Sequence, residues 1–170
     1  MKKLVLLSSF LLSTVLAHSQ IDPKNIKDQA MQLSIALLAG DYPTLVKHTY
    51  PEVVERMGGA EKMIALVKRG RADLEGQGIA IDTSMVGDPS ATVTAGNEIH
   101  CLVPQTVVLT IPKGKVRSES YLIGISQDGG KHWYFIDTAQ ITMANVKDVL
   151  PNYNMDLVIP PAKSPVVTEN

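Results

Sequence analysis

A single cysteine in 170 residues, Cys101, excludes an intramolecular disulfide, so stability has to come from a packed core. Its setting, Ile99-His100-Cys101-Leu102-Val103, predicts a buried, inert thiol rather than a nucleophile. Clustered positive charge is also scarce. Sixteen Lys and Arg face seventeen Asp and Glu, for a net charge of −1. That balance lacks the basic footprint that nucleic acid requires, and offers nothing to an anionic membrane surface. The one basic run, Lys68-Arg69-Gly70-Arg71, is diluted by Asp73 and Glu75 and reads as a solvated helix end. No H-x-x-x-H or C-x-x-C spacing is present, so neither a metal nor a cofactor is expected. Phosphate-binding loops, the G-x-S-x-G elbow and kinase signatures are missing as well. There is no internal repeat.

The amino terminus carries the clearest signal that is there. Lys2 and Lys3 precede an apolar run from Leu4 to Leu16, and Ala17-His18-Ser19 places small residues before Gln20. This is the layout of a secretory signal peptide cleaved between Ser19 and Gln20. The run falls short of the ~20 residues a helix needs to span a bilayer, and no later stretch approaches that length. The expectation is a signal peptide over 1–19, one domain over 20–150 and an extended carboxy-terminal tail over 151–170. The protein is then exported, to the periplasm or the medium, without a membrane span. About 150 residues suffice to bury a core without staples.

Periodicity divides the remaining chain. Asp22-Pro23 is a helix start, and Ile26, Ala30, Leu33 and Leu37 form a stripe at helical spacing up to Gly40. Short helices follow near Asp41–Val46 and Pro51–Met57. A longer one, from about Ala60 to Leu74, is expected to turn Met63, Leu66, Val67, Gly70 and Leu74 inward. From Ile79 the pattern alternates. Ile79, Ile81 and Met85 read as the buried side of a strand, and Glu98 to Ile111 as the longest strand, with a bulge or edge position at Pro104. Two more strands, about Val116–Ser126 and His132–Asp137, are apolar on both faces. A curved sheet with helices on its concave side and cover on its back would account for that. A short helix near Met143–Leu150 precedes a tail whose Leu157-Val158-Ile159 is suited to dock on the outer surface; Ala162 to Asn170 look unanchored.

The fold class is therefore α+β, with amino-terminal helices packed on a strongly curved antiparallel sheet, a cone-shaped half-barrel. The opening helix with Ala36-Leu37-Leu38-Ala39-Gly40-Asp41-Tyr42 and the hairpin Tyr121-Leu122-Ile123-Gly124-Ile125 to Trp133-Tyr134-Phe135-Ile136-Asp137 carry a resemblance. Over Asp22 to Asp137 the chain resembles the nuclear transport factor 2-like superfamily, also called cystatin-like or SnoaL-like, and its uncharacterised exported bacterial branch. The resemblance implies a pocket between sheet and helices. It does not choose a function, since members include ketosteroid isomerase, dehydratases and many non-catalytic domains.

Two constellations stand out. Ser126-Gln127-Asp128-Gly129-Gly130-Lys131-His132-Trp133 resembles an Asp-box hairpin, with His132 in place of threonine. Ser126, Asp128, Gly130 and Trp133 are read as parts of a structural turn. Glu98 and His100, two residues apart on one strand, share a face, while Tyr121 and Asp137 resemble polar groups lining pockets of catalytic relatives. The leading expectation is a non-catalytic protein that binds a small apolar ligand or an envelope protein through the cone pocket or an open sheet face. The alternative is a pocket isomerase or hydrolase using His100 with Glu98, or Asp137 with Tyr121. A homodimer through the open sheet, with Leu102, Val108 and Tyr134 in its patch, is a third possibility.

Overall fold

Helix α1 (Pro23–Ala39) begins where an oxygen cap and a proline coincide. The Asp22 carboxylate accepts the Lys24 N–H at 2.9 Å, and Pro23 fills the first turn, where its missing N–H costs nothing. Gly40 ends the helix at φ 69°, in the left-handed region that a side chain resists. Asp41 then caps α2 (Tyr42–His48) through the Thr44 N–H. Helices α3 (Pro51–Arg56) and α4 (Ala60–Gly76) follow. This computed structural model describes residues 21–169; the expected leader and its cleavage site lie outside them.

Six strands follow: β1 (Ala80–Val86), β2 (Val93–Ala95), β3 (Glu98–Ile111), β4 (Gly114–Ser126), β5 (Tyr134–Asp137) and β6 (Val166–Glu169). All pairings between these strands are antiparallel, in the order β1-β3-β4-β5, with β2 added to β3 and β6 to β4. The architecture is α+β: amino-terminal helices packed on a strongly curled antiparallel half-barrel. On the helix side, Ile26 and Ala30 of α1 meet Val86, Cys101, Val103, Leu122, Trp133 and Phe135. Gly124, paired with both Cys101 and Phe135, lies at the centre of this layer. A Cβ there would stand 2.8 Å from the Cys101 sulfur, so glycine is what lets the sulfur and both rings close over the strand. Burial pushes the Cys101 thiol up to about 12, which leaves it unreactive at neutral pH.

The back of the sheet is covered too. Leu102, Ile123, Ile125 and Ile136 pack under a carboxy-terminal segment that includes α5 (Val146–Val149) and buries Val146, Leu150, Tyr153, Leu157 and Ile159. Val158, between the last two, is exposed, as an extended docked segment requires.

Three local readings change in the folded chain, and the bulge or edge position expected at Pro104 resolves to an edge. In β1 the register slips between Ile81 and Thr83, so Ser84 and Val86 turn inward and Met85 turns out. One bulged residue reverses every face after it. On α4 only Met63 is buried, while Leu66 and Leu74 are exposed; α4 meets α2, α3 and the start of β1 instead of lying flat on the sheet. Pro104 produces no break: it pairs with Tyr121 within a continuous ladder to β4. On its other side it falls between the stretches paired with β1 and β2, where no N–H is needed. Finally, Val166–Glu169 form β6 on the start of β4, although their side chains stay exposed. The strand is held chiefly by backbone pairing, so side-chain pattern gave no sign of it.

Candidate functional site

Glu98 opens β3 on the back face, and the residue is 3% exposed. Oε1 accepts from the Tyr50 hydroxyl at 2.9 Å and from Gln127 Nε2 at 2.6 Å. Oε2 accepts from Asn152 Nδ2 at 2.5 Å and stands 3.1 Å from His100 Nε2. Burial alone would raise this carboxyl; the hydrogen bonds from Gln127, Asn152, His100 and Tyr50 outweigh it and hold it below the usual carboxylate range. A charged carboxylate needs a donor from His100, which places the proton on Nε2 and leaves Nδ1 as a bare acceptor. Nδ1 is buried without a hydrogen-bond partner. Burial, only partly opposed by Glu98, keeps His100 below its ordinary value. The Tyr153 ring stacks on the imidazole at 5.9 Å between centroids. The pair is thus real, but every carboxylate oxygen is taken and His100 has no exposed surface.

Register separates the other candidate pair. Tyr121 faces the back, beside the cluster that carries Leu102 and Ile123, whereas Asp137 pairs with Leu122 and shares its opposite face. The Asp137 carboxylate accepts the Ala139 N–H at 2.7 Å. The three histidines among the described residues also keep to separate surroundings. His48, buried on the helix side, meets Gln32 Oε1 at 3.1 Å, and exposed His132 pairs with Asp128. Among the described residues, no group of three or more His, Cys, Asp or Glu is placed to hold a metal.

The Asp-box-like segment forms one turn around Asp128. Its Oδ1 accepts from Ser126 Oγ and from the N–H groups of Lys131 and His132. Partial burial works against the charge, yet the N–H and imidazole of His132, the Ser126 hydroxyl and the Lys131 N–H bring the carboxyl down to about 2. Gly129 and Gly130 supply positive φ, and Trp133 Nε1 donates to the Gly130 carbonyl at 3.0 Å. Helix α1 clasps the same turn: Asn25 donates to Gly130 O, Gln29 to Lys131 O, and Gln29 Oε1 accepts the Trp133 N–H.

A different surface emerges on the helix side of the long β3–β4 arm. Ile81, Leu109, Val116 and Val167 are directly paired in one row across β1, β3, β4 and β6. All are half-buried or exposed, and none joins a core cluster. Four strands at ~4.8 Å spacing make this row roughly 14 Å wide. Between Gln105 and Ser120, alternation gives β3 and β4 no charged side chain on this face; Lys115, Arg117 and Glu119 all point to the back.

Behind the row lie three buried polar atoms without partners: Ser34 Oγ, Ser84 Oγ and Gln105 Oε1. Ser84 pairs with Val107, and Gln105 with Val86, so both are on the helix-side face. Ser34 continues the Ile26–Ala30 stripe of α1. Lys27 reaches Asp88 at 2.6 Å, which aligns the start of α1 with the end of β1. Helix α1 packs along β1, so Ser34, on the same stripe as Ile26 and Ala30, belongs to the layer between helix and sheet. Two open recesses, of about 260 Å³ beside Arg117 and Lys163 and about 190 Å³ beside Ile35 and Ala39, adjoin neither this face nor Glu98.

Sequence reasoning placed Glu98 and His100 together but missed Tyr50, Gln127, Asn152 and Tyr153. Tyr50 and Asn152 are 48 and 54 residues from Glu98 along the chain, so no local spacing could reveal them. Ser34 and Gln105 were visible as polar residues in apolar stripes. Ser84 was hidden by the bulge.

No family model matches the chain, and neither a curated protein nor a solved structure does.

Proposed function

We propose that this is an exported, non-catalytic member of the nuclear transport factor 2-like superfamily that binds a small, neutral amphiphilic molecule on the concave side of its sheet. The observation that carries this reading is the row Ile81–Leu109–Val116–Val167, whose first three members are half-buried and whose last is exposed, and which joins no core cluster on the face the helices occupy elsewhere. Ser34, Ser84 and Gln105 support a ligand with a polar head, since buried polar atoms in native folds normally find partners. A face without cations favours a hydroxyl or amide head over a carboxylate or phosphate.

The alternative, an isomerase or hydrolase working through His100 and Glu98 or through Asp137 and Tyr121, draws less support. The first pair is saturated by protein donors, and the second is split between two faces.

Titration calorimetry with 1-decanol and decanoate tests the reading. Decanol should bind the wild type with decanoate at least about tenfold weaker, and Leu109→Asp should weaken decanol by about tenfold or more, as lost apolar burial of one leucine requires. Leu109 is half-buried and belongs to no core cluster, so the variant should keep its fold, checked by circular dichroism. Absence of decanol binding to the wild type, or equal binding by Leu109→Asp, overturns it.

A further inference from the structure

The network around Glu98 does more than fill the back of the sheet: it fastens one segment to it. After β5 the chain runs from Thr138 to Ile159 across the back face, and it is held again at β6. Between these ends it is pinned by Asn152, which donates to Glu98, by Asn154, which donates to Thr94 O at 2.8 Å, and by Tyr153, stacked on His100. Under it lie Leu102, Ile123, Ile125 and Ile136, an apolar surface that would be uncovered by its release.

We infer that this segment is an acid-released strap, unlatched by protonation of His100 beneath Tyr153. A proton added to His100 must settle on Nδ1, which has no acceptor, inside a layer that excludes water. The facing groups compensate it only in part, since Glu98 raises His100 by less than burial lowers it. Glu98 is already engaged by four donors, and Tyr50 and Tyr153 are kept neutral, their hydroxyls raised by burial. On the surrounding elements Glu52, Arg56, Lys147, Asp148 and Asp156 are exposed.

The direction in pH follows from the histidine. Its folded value is depressed below the ordinary 6.5, so the open state takes up the proton first. The latch is therefore at full strength above about pH 6.5 and weakens as pH falls below it, by at most tenfold per pH unit for one proton. Loss of the Glu98 charge weakens it further only below the ordinary carboxylate range, because that folded value is also depressed. His48 provides an internal contrast. It is buried and depressed as well, but it sits on the helix side against Trp133 and Gln32, away from the strap.

Amide hydrogen exchange of the full chain at pH 7.5 and 5.5, corrected for intrinsic rates, tests this. Amides of 146–157 should open about five- to tenfold more often at pH 5.5, while the β3–β4 ladder between Val103 and Leu122 is unchanged. His100→Gln should abolish this pH difference, and His48→Gln should preserve it. If His100→Gln does not fold, the imidazole titration of wild-type His100 by NMR decides, since its midpoint must track the opening of the strap. Equal strap opening at both pH values, uniform opening of the whole sheet, or a pH effect surviving in His100→Gln overturns the proposal. None of these outcomes depends on decanol binding.

Discussion

Replacing Glu98 by alanine is expected to destabilise the fold by about 3–5 kcal/mol, the scale for removing one member of a buried charged network. The removed oxygens serve Tyr50, Gln127, Asn152 and His100, so a single truncation unties four donors at once and strands buried His100, whereas exposed Gln127 and Asn152 can turn to water and Tyr50 keeps Glu52 at 3.3 Å. Glu98→Gln keeps the volume and one acceptor oxygen, and should cost less, about 1.5–3 kcal/mol for the charged hydrogen bonds it weakens. Urea unfolding at pH 7.5 measures both. A loss below 1 kcal/mol for the alanine variant would mean that the network is decorative and that the strap is held by its apolar residues alone. The same result would reopen the catalytic reading of the pair, because a site not required for folding is one that function has to explain.

The second large effect belongs to the opposite face. Trp133→Ala should cost about 3–5 kcal/mol, typical of emptying a buried aromatic site. The indole is 1% exposed and packs with Ile26, Phe135 and Cys101 between α1 and the sheet. Its N–H also closes the Asp128 turn at Gly130, and α1 holds that turn through Asn25 and Gln29. Trp133→Phe retains most of the packing but loses this bond, for about 1–2 kcal/mol. Because Trp133 is the only tryptophan, far-ultraviolet circular dichroism has to replace fluorescence as the readout. A Trp133→Ala variant as stable as wild type would show that α1 is anchored elsewhere.

Much of this architecture is legible in the sequence, for reasons that differ by element. Asp22, Pro23 and Gly40 bound α1 through local backbone chemistry, which sequence expresses directly. The double-sided apolar strands Tyr121–Ile125 and Trp133–Ile136 announced cover on both faces of the sheet, and Leu157 and Ile159 do form part of that cover. What escaped depends on events without a local signature. The β1 bulge exchanged Met85 for Ser84 and Val86 on the inner face, and no residue type in Ile81-Asp82-Thr83 demands it. Strand β6 forms through backbone bonds with its side chains in solvent. The Glu98–His100 contact was readable from i, i+2 spacing, but its four partners arrive from distant segments. They turn an apparent acid–base pair into a fastening.

Chemical-shift mapping with 1-decanol tests the concave-face claim most directly. The account predicts that amide shifts concentrate at Ile81, Ser84, Gln105, Val107, Leu109 and Val116, with residues near His100, Asn152 and Tyr153 unmoved. Shifts centred on Glu98 and His100, or on the two open recesses, would contradict it.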